Sequence, residues 1–186
     1  MVVYGARGLT DKKQAYSLLE RAARECWGME CLPQLARHPG GKPCFPGAED
    51  RQFNLSHSGS MAVCALSGKV VGVDIQVVKE WRPALFGRVC SPEEREWLKC
   101  WGDVNRGFAL LWALKECRVK YEGKGIVGTG EMIRGIRVPL PRKLDGEMQL
   151  DGLFFRYYEG ENWMAAVCGA EIPPREIIWT DFGEQS

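Results

Sequence analysis

No run of about 18 apolar residues occurs in this chain, so nothing in it reads as a membrane-spanning helix. Charge of one sign is also missing. Lysine and arginine total 25 against 24 aspartates and glutamates, a formal net charge of +1. With no global field, the composition advertises neither a nucleic acid nor a membrane surface as a partner. Histidine is scarce, at two residues, and none of the eight cysteines lies in a C-x-x-C spacing, which argues against a zinc site or a disulfide framework. Cys64 and Cys168 sit inside apolar runs, where a thiol acts as a small hydrophobe. Charged residues arrive at Arg7, Asp11, Lys12 and Lys13, too early for the apolar core of a secretory leader. The expectation is a reduced, cytoplasmic protein.

What is present fits a globular domain. The chain has 186 residues, 45% hydrophobic and 26% charged, a normal balance for one domain or two small lobes sharing a core. Ala15, Leu18, Leu19, Ala22, Ala23 and Cys26 recur at helical spacing, which predicts a helix from Asp11 to Trp27 capped by Thr10 or Asp11. His38-Pro39-Gly40-Gly41-Lys42-Pro43 reads as loop. Met61–Leu66 and Val70–Ile75, separated by Ser67-Gly68-Lys69, read as the two strands of a hairpin. Ser91-Pro92-Glu93-Glu94 is a helix start, with a cap, a proline at the first helical position and acids in the first turn. A longer helix runs from about Arg106 to Glu122, stopped by Gly123 and Gly125. Further strands are expected around Ile133–Val138, Gly152–Tyr158 and Trp163–Cys168, and Pro173-Pro174 opens a polar tail. Met61-Ala62-Val63-Cys64-Ala65 is echoed about a hundred residues later by Met164-Ala165-Ala166-Val167-Cys168, as in a two-lobed pseudo-repeat.

The motifs separate into decoys and candidates. Gly123-Lys124-Gly125-Ile126-Val127-Gly128 matches G-x-G-x-x-G, but it follows a helix instead of a strand, so it is no dinucleotide fingerprint. Ser56 and His57 are neighbours on an extended segment and point to opposite faces, so His57 is badly placed to deprotonate Ser56. With Ser58 and Gly59 they make a plausible anion cradle instead. Asp74 ends an apolar strand. Trp112, Glu116 and Lys120 share a helix face, and the bland reading of the last two is an exposed i,i+4 pair worth about 0.2–0.5 kcal/mol. Together the pieces suit Mg²⁺ on a polyphosphate, with Asp74 and Glu116 as hard oxygen ligands and Lys42, His57 and Lys120 as phosphate partners.

The order of Gly41-Lys42-Pro43, Phe53-Asn54-Leu55-Ser56-His57-Ser58-Gly59, Gly72-Val73-Asp74-Ile75 and Trp112-Ala113-Leu114-Lys115-Glu116-Cys117-Arg118-Val119-Lys120 resembles the 4'-phosphopantetheinyl transferase superfamily, in its larger two-lobed, surfactin-synthetase-activating type. The resemblance spans about Arg37 to Gly125, with Trp163–Cys168 suiting the second lobe. It implies an α+β fold of two similar helix-on-sheet lobes in pseudo-twofold arrangement, residues 1–76 and 77–172, with a tail at 173–186 and the active site in the cleft. It also implies a monomer that moves phosphopantetheine from coenzyme A to a serine of an apo acyl or peptidyl carrier protein, releasing adenosine 3',5'-bisphosphate. By the same resemblance Asp74 and Glu116 hold Mg²⁺, Glu116 is the base, and Lys120 stabilises pyrophosphate charge. Lys13, Arg37, Lys42, Pro43, Ser56, His57 and Lys120 would grip coenzyme A, with Arg7 and Lys12 as further candidates for its 3'-phosphate. The family often reads D-x-E at the metal strand, where this chain has Gln76. The alternative is a module that binds coenzyme A or a carrier protein without turnover.

Overall fold

A computed structural model describes residues 1–123, 133–142 and 146–182. Three of the four helices that lie wholly within the described residues start where the sequence supplies a start signal. In α3 (Pro92–Trp101) Ser91 and Glu94 form a reciprocal capping box, and Asp103 accepts two backbone N–H bonds at the head of α4 (Val104–Glu122). The proline of α2 (Pro83–Val89) stands in the first turn, although the hydrophobic pattern did not single that short helix out. The fourth, α1 (Gln14–Trp27), begins later than its periodicity suggests. Gln14 Oε1 accepts the N–H groups of Thr10 and Asp11, which ties the preceding turn to the helix instead of continuing it.

Among the described residues the strands form two four-stranded sheets and a short two-stranded one. The first sheet has the order β10 (Ile178–Asp181), β1 (Val2–Arg7), β5 (Met61–Ser67), β4 (Gln52–Ser58). The second has the order β6 (Val71–Val77), β9 (Trp163–Gly169), β8 (Leu153–Gly160), β7 (Glu147–Leu150). The two-residue strands β2 (Ala36–Arg37) and β3 (Pro43–Cys44) bracket the glycine-rich loop.

Two expectations are corrected by these ladders. Met61–Ser67 and Val71–Val77 do not form a hairpin; β5 pairs with β1 and β4, while β6 crosses to the other sheet and pairs with β9. The true hairpin is β4–β5, closed by Gly59 at φ 57° and Ser60. Residues 133–138 are not a strand. They begin as a helical turn, with Ile136 N donating to Ile133 O, and join no sheet among the described residues. The polar tail carries a strand of its own: β10 lies parallel to β1, with Tyr4 opposite Ile178 and Arg7 opposite Asp181.

Each large sheet is covered by one helix. Leu18, Leu19 and Ala22 of α1 pack on Phe53, Cys64 and Leu66. Phe108, Leu111 and Leu114 of α4 pack on Phe155, Met164 and Cys168. The remaining faces share a third core of Val3, Val63, Ala65, Val73, Ile75 and Val167. Each fully buried Leu, Val or Phe stabilises the fold by about 1.5–3 kcal/mol, which is why the two echoing strands β5 and β9 carry only apolar and small side chains.

One glycine sets how closely α4 approaches the second sheet. A Cβ at Gly72 would stand 1.9 Å from Cys117 O and 2.7 Å from Tyr121 N. Both are helix backbone, which cannot swing aside. Gly72→Ala is therefore expected to destabilise by at least about 1–3 kcal/mol, the scale of an overpacked core. Urea unfolding checks this, and an unchanged midpoint would mean that α4 does not lie directly on β6.

Candidate active site

Beside Gly72 the next residue on the same face of β6 is Asp74, since side chains alternate along a strand. Asp74 is 2% exposed. Its Oδ1 accepts from Ser56 Oγ at 2.6 Å and from Lys120 Nζ at 2.6 Å, and its Oδ2 accepts from Gln76 Nε2 at 2.6 Å. Lys120 also donates to Ser56 Oγ at 2.9 Å and to Val73 O at 3.3 Å. The ion pair of Lys120 is thus with Asp74 across the β6–α4 contact, not the helical pair with Glu116 that spacing alone suggests.

Glu116 lies one turn before Lys120 and is 4% exposed. No hydrogen-bond partner of its carboxylate is found among the described residues. Burial, and then the negative charge of Asp74, push the Glu116 carboxyl up to about 7, against a smaller opposing effect of Lys120. Two buried carboxylates therefore lie in the field of one ammonium, which is bonded to Asp74. That donor set fits a Mg²⁺ ion, which takes one or two carboxylates and completes its shell with waters and phosphate oxygens. Among the described residues no group of three or more His, Cys, Asp or Glu side chains gathers for a metal. Gln76 does share the face of Asp74, as expected if the strand runs on past Ile75, and its amide nitrogen donates to that carboxylate.

The basic residues nominated by the sequence sit on several different elements. Lys42, held on the loop between β2 and β3, donates to Val71 O at 2.8 Å, and burial pulls its ammonium down to about 8. Arg37 and Pro43 are opposite one another in the β2–β3 ladder, with Arg37 Nη1 on Gly41 O at 2.8 Å. His57 is exposed on the α1 side of β4. Its desolvation, then the charges of Lys12 and Lys120, hold the imidazole below the ordinary histidine range, with Asp74 opposing. The field at His57 therefore contains Lys12, a residue that spacing could not separate from Lys13, which stands at the N-cap of α1 without a side-chain cap hydrogen bond. Arg7 lies elsewhere, with its guanidinium 4.5 Å from the centre of the Trp179 ring. Neither Ser56 nor Ser58 turns its hydroxyl outward. They accept from the β6 groups Ile75 N and Val77 N at 3.4 and 3.0 Å. Asn54 does the same for Val73 N at 2.8 Å, a role that nothing in its sequence position announced. Lys124 to Gly128 of the glycine motif lie outside the described residues.

The buried ammonium of Lys42 has a pH signature. Its folded value of about 8 lies below the ordinary 10.5, so the cost of burying the cation is fully present below pH 8 and disappears as pH rises towards 10.5. Wild type should gain up to about 3 kcal/mol relative to Lys42→Met over that window, by the conversion of about 1.36 kcal/mol per unit. Urea unfolding of both proteins at pH 7.5 and 10 measures it, and a pH-independent difference would put Lys42 in solvent.

A family model described as the 4'-phosphopantetheinyl transferase superfamily matches residues 70–168 of the chain. A 4'-phosphopantetheinyl transferase of Bacillus subtilis is 34% identical over 163 residues, which are 82% of this chain and 70% of that protein. The 4'-phosphopantetheinyl transferase Sfp of Bacillus subtilis strain 168 is 38% identical over 88 residues, 46% of this chain and 39% of that one. The 4'-phosphopantetheinyl transferase AcpT of Salmonella typhi is 33% identical over 129 residues, 66% and 65% of the two chains.

Proposed function

This chain belongs to the 4'-phosphopantetheinyl transferase superfamily, and from that premise we infer that it transfers the phosphopantetheine arm of coenzyme A to a serine of an apo acyl or peptidyl carrier protein. The observation that carries the reading is the buried cluster of Asp74, Lys120 and Glu116 where β6 meets α4. In the reaction the carrier serine oxygen forms a bond to the phosphorus that bears the pantetheine arm. The bond from that phosphorus to the bridging pyrophosphate oxygen breaks, and adenosine 3',5'-bisphosphate leaves with the electron pair.

Glu116, with a carboxyl held near neutrality, suits the removal of the serine proton, directly or through water. Lys120, already fixed by Asp74 and Ser56, offers its remaining charge to the leaving phosphate, an electrostatic contribution with no reorganisation cost. Asp74 and Glu116 would hold Mg²⁺, which when bound supplies charge neutralisation on the pyrophosphate. Lys42, His57, Arg37 and Pro43 are assigned to coenzyme A, with Lys12 and Lys13 towards its 3'-phosphate.

The two-lobed reading belongs to this proposal. It is supported by α1 on one sheet, α4 on the other, and the related strands β5 and β9, each next to the edge at which β4 meets β6. The pairing of β6 with β9 and of β10 with β1 favours drawing the boundary before β6 and returning residues 178–181 to the first lobe.

Incubation with coenzyme A, Mg²⁺ and a panel of apo carriers, read by intact mass, tests the function. One carrier should gain one phosphopantetheine arm. Folded protein that binds coenzyme A but modifies no carrier would leave the non-catalytic binding module as the correct reading.

A further inference from the structure

Two strands carry the two halves of the site. Ser56 and His57, which the family resemblance assigns to coenzyme A, lie on β4, and Asp74, assigned to the metal, lies on β6. Yet β4 and β6 are edges of different sheets, and no backbone ladder joins them among the described residues. β6 pairs with β9 on one side, so the N–H groups on its open side need acceptors from elsewhere.

Three side chains of β4 supply them. Asn54, Ser56 and Ser58 leave the strand on one face, two residues apart. They accept from Val73 N at 2.8 Å, Ile75 N at 3.4 Å and Val77 N at 3.0 Å. The outer two rungs are the short ones. The middle one lies beyond the usual N–H···O range of about 2.7–3.2 Å, so Ser56 is the rung whose hydroxyl the seam can spare for a ligand. Asn54, 4% exposed, and Ser58, half-buried, then hold β6 on either side of Asp74.

We propose that Asn54 and Ser58 are positioning residues: they keep β6 at a fixed distance and register from β4, so that the groups for coenzyme A on one strand and for the metal on the other grip one pyrophosphate together. This rests on the functional reading given above. The consequence is a linkage. Mg²⁺ should tighten coenzyme A, and the tightening should depend on the outer rungs, because two sites couple only while the elements carrying them move as one.

Four variants test this beside wild type: Asn54→Ala, Ser58→Ala, Ser58→Thr and Leu98→Ala, the last a buried core position on α3. Each is measured for coenzyme A affinity by calorimetry with and without Mg²⁺, for kcat and KM with an apo carrier, and for its unfolding midpoint. Asn54→Ala and Ser58→Ala should reduce the Mg²⁺-induced tightening by about fivefold or more, the low end of usual coupling factors. Their kcat should fall roughly 10–100-fold, the scale on which an ångström of misplacement acts. Coenzyme A affinity without Mg²⁺ should stay within about threefold, because the contacts of β4 itself are kept. Ser58→Thr keeps the hydroxyl and should retain both the tightening and kcat. Leu98→Ala should lower the midpoint yet leave tightening and kcat within about threefold, being independent of the seam.

Equal tightening in wild type and both alanine variants overturns the proposal in favour of rungs that only stabilise the fold. So does an equal loss in Leu98→Ala, which would make the effect one of general destabilisation. An affinity about tenfold weaker without Mg²⁺ in either alanine variant overturns it in favour of direct ligand contact. Ser58→Ala removes one half-buried hydroxyl, so it decides the matter should Asn54→Ala not fold. If wild type modifies no carrier but Mg²⁺ still tightens coenzyme A, the transferase reading fails and the calorimetric arms decide this proposal on their own. Wild type whose coenzyme A affinity ignores Mg²⁺ overturns the proposal whether or not a carrier is modified.

Discussion

Glu116→Gln should slow phosphopantetheine transfer by roughly 10²-fold or more, the scale for losing a positioned proton-transfer group, while the unfolding midpoint stays unchanged or rises. The amide keeps the shape of the carboxylate, so the packing of α4 on β6 survives. It also removes a charge that is costly to bury, since burial and Asp74 already push that carboxyl up to about 7. Loss of activity without loss of stability is the signature of a group kept for chemistry. If Glu116 served only as one half of a helical ion pair, the variant would lose a few tenths of a kcal/mol and keep its rate. The structure argues against that pair, because Lys120 is bonded to Asp74. Steady-state transfer at saturating coenzyme A, alongside urea unfolding of the same samples, checks both halves. Near-normal turnover would remove Glu116 from the site.

Lys115→Met should have the largest effect on stability, a loss of about 3–5 kcal/mol, the range for removing one partner of a buried ion pair. The side chain of Lys115 is 0% exposed, and its ammonium reaches Glu94 Oε2 at 2.8 Å, Val89 O and Ile133 O at 3.0 Å, and Arg134 O at 3.3 Å. It thereby ties α4 to the end of α2, to the first turn of α3 and to the turn at residues 133–134. Methionine matches its length but leaves the buried Glu94 without a counter-charge. Glu94 is also the capping-box residue that accepts from Ser91 N, so the start of α3 is strained by the same change. The double variant Lys115→Met with Glu94→Gln removes the orphaned charge and should recover part of the loss, because the two effects are coupled. A single-variant cost below about 1 kcal/mol, the range of exposed pairs, would mean that water reaches the ammonium.

Lys115 and Glu116 also show how far sequence reading reaches. As neighbours on a helix they point about 100° apart, a consequence of 3.6 residues per turn. One therefore had to leave the face that carries Trp112, Glu116 and Lys120. What Lys115 meets on its own side, a carboxylate 21 positions earlier and carbonyls 18 and 19 positions later, is not a local property.

Local chemistry determined a good deal of this protein. The capping box at Ser91, the helical spacing through α1 and α4, and the alternation that puts Asp74 and Gln76 on one face follow from short-range geometry. So does the direction of Ser56 and His57 to opposite faces, and the order of motifs that carries the family resemblance. Tertiary structure alone decided which strands pair. A strand offers the same N–H and C=O edge to any neighbour, so nothing local separates a β5–β6 hairpin from two strands in different sheets, or assigns β10 to β1 across most of the chain. The same holds for the candidate site. Residue types and spacing nominated Asp74, Glu116 and Lys120, but the bond from Lys120 to Asp74, the burial that lifts Glu116, and the inward turn of Ser56 depend on β4, β6 and α4 meeting at one seam. Hydrogen bonds and desolvation act over a few ångströms in space, whatever the separation along the chain.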